Sequence, residues 1–187
     1  MLPENDYQII KLSHKFYQDY PNPPFTELEQ KENRQYTCLL FQTHYDFFIC
    51  IPFRSNIRHR YAFHFTHSAR SRKSKSGLDY TKIVIISKTE YLDSKQAYVD
   101  KDEFLEMIHN FPLIKQKALS YVEDYISHLN HTQPMHPQEF KRKYTFSTLP
   151  YFHSQLSLTS PSSPKSHPRS HPDASDKGGK SAVKVPN

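Results

Sequence analysis

No acidic side chain occurs between Phe47 and Leu78, although that stretch carries seven Lys/Arg and three His residues. It therefore holds no local carboxylate pair for magnesium. His64 and His67, three positions apart, assemble neither a zinc tetrahedron nor a two-metal nuclease site without a carboxylate beside them. Cysteine is scarce: Cys38 and Cys50 lack Cys-x-x-Cys spacing and lie in segments that read as strands. Two buried thiols argue for a reduced compartment and against a disulfide scaffold, so the expected location is cytoplasmic. No apolar run approaches the roughly 20 residues of a membrane helix, and the acidic Met1–Asp6 segment has no apolar leader. The expectation is a protein that is neither secreted nor membrane-bound. Glycine is nearly absent at three residues, and Arg70–Gly77 lacks the Gly-x-x-x-x-Gly-Lys spacing of a nucleotide-binding loop.

The 187 residues are 36% apolar with a net charge of +6, enough for one core of ordinary size. The charge is segregated, since the acids sit mainly at 4–46 and 79–139. Within the acid-free stretch stands Pro52-Phe53-Arg54-Ser55-Asn56-Ile57-Arg58-His59-Arg60-Tyr61. Cations concentrated beside hydroxyls, imidazoles and aromatics suit a polyanion, and RNA is the leading candidate ligand.

The pattern predicts an α+β fold. Strands are expected over Tyr7–Ser13, Gln35–Gln42, Phe47–Phe53, Tyr61–Thr66 and Thr81–Ser87, the last as a central strand because its apolar run is continuous. Thr43–Asp46 links the second and third as a hairpin. Ser13 is placed to cap a short helix stopped by Pro21. His67–Leu78 reads as a loop. Asp100 with Glu103 resembles a capping box, followed by Phe104, Leu105, Ile108 and Phe111 at helical spacing. A second helix runs from Leu113 to about Leu129, with Ala118, Val122, Tyr125, Ile126 and Leu129 on one face, and Tyr144–Leu156 forms a last short element. The whole is a twisted antiparallel sheet of five or six strands with peripheral helices. From Ser157 onward, 31 residues contain eight Ser and five Pro, too little apolar surface to offset ordering entropy, so residues 157–187 are expected to form a disordered basic tail.

Cleaving RNA without a metal requires a group to take the 2′-OH proton, cations to stabilise charge on phosphorus, and a donor for the leaving oxygen. Arg54, Ser55, Arg58 and His59 sit between two expected strands, at one edge of the sheet. Imidazole is the natural proton carrier near neutral pH, Ser55 a donor to phosphate, and Arg54 and Arg58 phosphate clamps. Arg60, Arg70, Arg72, Lys73 and Lys82 are further backbone-tracking cations. Lys75 is within reach of a phosphate if its loop folds over the hairpin. Tyr36, Tyr61 and Tyr80 are placed either to stack bases or to pack in the core.

The strings Ile51-Pro52-Phe53-Arg54-Ser55-Asn56-Ile57-Arg58-His59, Tyr61-Ala62-Phe63, Ser76-Gly77-Leu78-Asp79-Tyr80-Thr81-Lys82, Ser147-Thr148-Leu149 and Tyr151-Phe152-His153 resemble toxins of bacterial type III toxin–antitoxin systems. The likeness is to the ToxN/AbiQ family, and within it to the TenpN branch, over about residues 7–156. It implies an endoribonuclease domain at 1–156 with a compact, barrel-like antiparallel sheet. It further implies metal-independent cleavage to a 2′,3′-cyclic phosphate, with no cofactor. The implied inhibitor is a repeated pseudoknot antitoxin RNA bound in a cyclic hetero-oligomer, and the setting is abortive infection against phage. The family motif places Thr-Ser and then Lys after the hairpin proline, and a basic residue opens the preceding strand. Ser55 matches the serine and Arg34 the basic residue, whereas Arg54 replaces the threonine and Ile57 the lysine. The implied catalytic set is then Arg34, Arg54, Ser55, His59 and Lys75, with Arg58, Arg60, Tyr61, Arg70, Arg72, Lys73 and Lys82 binding RNA. The rival is a non-catalytic RNA-binding module. A DNA-binding transcription factor is disfavoured because the basic region carries no recognition helix.

Overall fold

A computed structural model describes residues 6–28, 36–95 and 97–158. Its centre is strand β3 (Phe48–Arg54), whose alternation of ring, branched and small side chains suits a strand buried on both sides. On one side it pairs antiparallel with β2 (Thr37–Gln42), which pairs with β1 (Tyr7–Lys11). The β2–β3 link is closed by Thr43, whose hydroxyl donates to Phe47 O at 2.7 Å and accepts from Tyr45 N at 3.1 Å. On its other side β3 meets two short strands in succession. Phe48–Cys50 pair with β6 (Val84–Ile86), and Phe53–Arg54 with β5 (Gly77–Asp79), which pairs onward with β4 (Ala62–His64). The ladder is interrupted at Ile51 and Pro52, so the residue that lacks an N–H sits where pairing on this side has stopped.

That interruption overturns one expectation. Thr81–Ser87 is not a continuous central strand: Tyr80–Lys82 wind into a 3-10 turn, and only Val84–Ile86 pair, with β3 alone. The cause is Asp79, whose carboxylate caps the turn by accepting from Thr81 N at 2.9 Å and Thr81 Oγ1 at 2.6 Å. Thr148 holds the turn from outside, its N–H donating to Thr81 O at 3.0 Å and its hydroxyl to Ile83 O. Among the described residues the six strands form an open sheet with β1 and β4 at its margins, not a barrel.

Helix α1 (His14–Asp19) is capped by Ser13 as expected. The stretch expected to be a loop contains helix α2 (Ala69–Ser74), because Ser68 accepts from Ser71 N at its start and Lys75 adopts the left-handed conformation, φ 48°, at its end. Helix α3 (Lys101–His109) begins at Asp100, which accepts from the N–H groups of Asp102 and Glu103. Its inward face differs from the expected one, for Glu103 and Met107 are buried and Leu105 is exposed. Helix α4 (Phe111–Leu129) buries Phe111, Ile114, Ala118, Tyr121, Val122 and Tyr125, the three-and-four spacing of a core face. Helix α5 (Pro137–Tyr144) is absent from the sequence reading, since only Phe140 and Tyr144 of its eight residues are large and apolar. The packed chain continues to Leu158, which is buried and donates to His153 O at 2.9 Å. The expected disordered tail lies otherwise outside the described residues.

Gly77 permits β4 and β5 to close. A Cβ there would stand 2.2 Å from the backbone oxygen of Phe63, an overlap no rotamer relieves. Gly77→Ala should destabilise the protein by about 1–3 kcal/mol or more, read as a lower melting temperature. An unchanged melt would show that the two strands separate at little cost.

Candidate functional site at the end of the third strand

The turn that follows β3 is fixed from beneath. Ile57 is buried, and Asn56, at φ 61°, donates its N–H to Ser74 O at 2.5 Å while Ile57 N donates to Lys75 O at 3.2 Å. His64 Nε2 lies 2.9 Å from His59 O. These contacts hold residues 54–61 in place before any ligand arrives.

Its most buried charged group is Asp79, one residue beyond the acid-free stretch. Arg54 Nη1 lies 2.6 Å from Asp79 Oδ2, and His59 Nε2 lies 3.4 Å from Asp79 Oδ1, while the carboxylate side chain has no solvent exposure. Burial alone would raise its pKa, but the contacts from His59 and Thr81 and the charges of His59 and Arg54 outweigh it. The carboxyl therefore sits below its ordinary value. With Nε2 turned to Asp79, His59 Nδ1 is covered and makes no hydrogen bond among the described residues. A carboxylate fixing one imidazole nitrogen is the arrangement that orients a histidine for proton transfer at the other.

Ser55, directly after β3, meets Arg70, which links it to a second buried carboxylate. Arg70 donates from Nε at 3.2 Å and Nη2 at 2.9 Å to Ser55 Oγ, and from Nη1 at 2.8 Å to Glu103 Oε2. Glu103 is fully buried and also accepts from Ser68 Oγ at 3.2 Å and from Ser76 Oγ. Since the Ser55 oxygen accepts twice from the guanidinium, its hydroxyl hydrogen is left to donate elsewhere.

Of the expected residues, Arg54 and His59 thus gather on Asp79, and Ser55 and Arg70 on the side of Glu103, the two groups joined by the backbone of Arg54 and Ser55. Arg58, Arg60, Arg72, Lys73 and Lys75 are exposed around them. Arg60 lies 5.2 Å from the Tyr61 ring centroid, and Tyr61 rests against Tyr121 with centroids 6.2 Å apart. Lys82 is placed differently from expectation: it is buried, ion-paired with Glu27, and donates to Phe146 O at 2.8 Å. Tyr80 is buried and half-buried Tyr36 packs against Tyr17, so of the three tyrosines only Tyr61 borders the site. Arg34 lies outside the described residues.

Asp79, Thr81 and Glu103 were not singled out for the site by sequence reasoning. Leu78-Asp79-Tyr80 stood within a family-like string, which is the one signal that marked Asp79; Glu103 read as a helix-capping residue. Among the described residues no three metal-ligating side chains gather, and no helix is long and apolar enough to cross a membrane. In comparisons with known proteins no family model matches this chain, and neither curated proteins nor solved structures match it.

Proposed function

We propose that this protein is a metal-independent endoribonuclease toxin of the type III toxin–antitoxin kind, held in check by a repeat RNA. The observation that carries the reading is the pairing of His59 and Arg54, from the basic stretch 47–78 that has no acid of its own, with the buried Asp79. In this mechanism the substrate uncovers His59 Nδ1, and the 2′-oxygen attacks phosphorus as its proton passes to that nitrogen. The bond from phosphorus to the 5′-oxygen breaks, and that oxygen takes a proton from the imidazolium so formed or from water. The products are a 2′,3′-cyclic phosphate and a 5′-hydroxyl. Arg54 offsets the added charge on phosphorus, Ser55 donates its hydroxyl hydrogen, and Asp79 keeps the imidazole oriented and balances its positive form. Arg58, Arg60, Arg72, Lys73 and Lys75 hold the flanking strand. The cytoplasm is the compartment that such a substrate requires.

A second reading, a non-catalytic RNA-binding module, draws support from two observations. Asp79 and Glu103 already neutralise Arg54 and Arg70, and His59 Nδ1 is covered. The readings part on turnover. Arg72→Glu with Lys73→Glu should weaken RNA binding and flatten its salt dependence under either. Growth arrest on expression in a bacterial host, abolished by His59→Ala and reduced by Ser55→Ala, is expected only of the enzyme. Equal arrest by all three proteins would remove the assignment of these residues.

A further inference from the structure

We infer that the exposed face of α5 at Arg142, with the ring of Phe146 just beyond it, is a second subsite for unpaired RNA, continuous with the basic turn: Phe146 stacks on a base and Arg142 holds the adjoining phosphate. The inference rests on the reading that the turn after β3 takes RNA, and it needs that surface only to bind, not to cut. A run of contacts joins the two places. The His59 and Tyr61 ring centroids stand 6.3 Å apart, and those of Tyr61 and Tyr121 6.2 Å. Lys143 of α5 lies over Tyr121, 5.4 Å from its centroid, and the Tyr121 hydroxyl donates to Lys143 O at 3.2 Å. Arg60, held above its ordinary pKa chiefly by its contact with Tyr61, also feels the charge of Glu139 on the same helix. The side of α5 that carries Glu139 and Lys143 therefore turns toward Arg60 and Tyr61.

Phe146 belongs to that side. Thr145 keeps the helical conformation, φ −52° and ψ −39°, and Ser147 N donates to Tyr144 O at 3.0 Å, so the chain winds on past the last residue of α5. Phe146 thus falls three positions after Lys143 and four after Arg142, the spacings that bring side chains together. Its ring is 67% exposed, yet its backbone is fixed, for buried Lys82 donates to Phe146 O at 2.8 Å and the following Ser147 and Thr148 are buried. A large apolar ring held outward on a fixed backbone loses little freedom when a partner covers it. Charge selects that partner. From Pro137 to Phe146 the chain carries Lys141, Arg142 and Lys143 against one acid, Glu139. Lys143 is engaged with Asp124 at 2.7 Å, whereas exposed Arg142 makes no ion pair or hydrogen bond among the described residues. An aromatic face beside an unspent guanidinium suits single-stranded nucleic acid, the base on the ring and the phosphate on the cation. A duplex hides the faces of its bases, so the strand at this subsite is unpaired.

The test is fluorescence anisotropy of the full-length protein with an unpaired 2′-O-methyl RNA of about 12 nucleotides, whose blocked 2′-oxygen prevents cleavage, and with the same strand annealed to its complement. Phe146→Ala should lose about 5- to 100-fold in affinity for the unpaired strand, and Phe146→Trp should stay within about twofold of the parent. Neither should shift the melting temperature, and the annealed strand should bind Phe146→Ala as it binds the parent. Arg142→Gln should lower the salt slope of binding by about 0.7, the share of one phosphate on a single strand. Equal binding of the unpaired strand by the parent and Phe146→Ala overturns the inference; if Arg72→Glu with Lys73→Glu still weakens that strand, the reading of the basic turn survives. Phe146-dependent binding by a protein that cuts no RNA leaves the subsite standing and removes the nuclease. No binding by the parent overturns both. A parent that self-associates, with Phe146→Ala monomeric and unchanged in RNA affinity, also overturns the inference, by making the ring a protein contact.

Discussion

Asp79→Ala should cost the fold about 3–5 kcal/mol, the scale for removing the fully buried member of an ion pair. The substitution takes from Arg54 and His59 the carboxylate they share and also removes the acceptor that winds Tyr80–Lys82 into the turn between β5 and β6. In a protein of this size such a loss lowers the melting temperature by about 6–20 °C. The pH dependence carries the same information with a definite sign. Asp79's folded pKa lies below its ordinary 3.8, so its ionised form stabilises the fold fully above that value. The contribution is lost as pH falls from there through the folded pKa. Glu106, held below its ordinary value against burial by the N–H groups of Thr66 and His67, adds in the same direction. Denaturant melts of parent and Asp79→Asn between pH 2 and 7 should therefore draw together as pH falls below the carboxyl's ordinary value and diverge toward neutrality. Parallel curves would mean that the carboxylate contributes nothing through its charge.

His59→Ala should lower RNA cleavage about 10²–10⁴-fold, the usual contribution of a positioned acid or base. It should leave stability within about 1 kcal/mol, since the ring is partly exposed and its long contact with Asp79 leaves Arg54 as the carboxylate's closer partner. The contrast between the two substitutions is the informative part: Asp79→Ala loses fold and turnover together, whereas His59→Ala loses turnover alone. Comparable unfolding of both proteins would assign His59 a packing role. Glu103→Gln probes the other half of the site. It keeps the shape but loosens Arg70, and a reduced kcat at unchanged RNA affinity would mark Arg70 and Glu103 as positioning groups for Ser55.

How much of this the sequence disclosed follows from the range of each interaction. The hairpin and the helix starts at Ser13 and Asp100 rest on contacts a few residues apart, and patterns of that span are visible in a linear chain. Helix α2 depends on contacts equally local, but Arg70-Ser71-Arg72-Lys73-Ser74 carries no apolar periodicity, so its composition read as a solvated loop. Over Thr81–Ser87 an apolar run does not bring continuous pairing, because the side chain of Asp79 before it bends the backbone into a turn. The site was legible in its cations and illegible in its anions. Arg54 and Asp79 are 25 residues apart and Arg70 and Glu103 are 33 apart. A stretch defined by its lack of acids ended one residue short of the carboxylate that organises it.

The central claim is that an Asp79-oriented His59 at the rim of the sheet drives metal-free transesterification of RNA. It is tested most directly by incubating purified protein with a mixed-sequence RNA in EDTA and analysing the new ends. The account predicts 2′,3′-cyclic phosphate and 5′-hydroxyl ends from the parent protein and none above background from a folded His59→Ala variant. Intact RNA, or ends carrying 5′-phosphate, would contradict it.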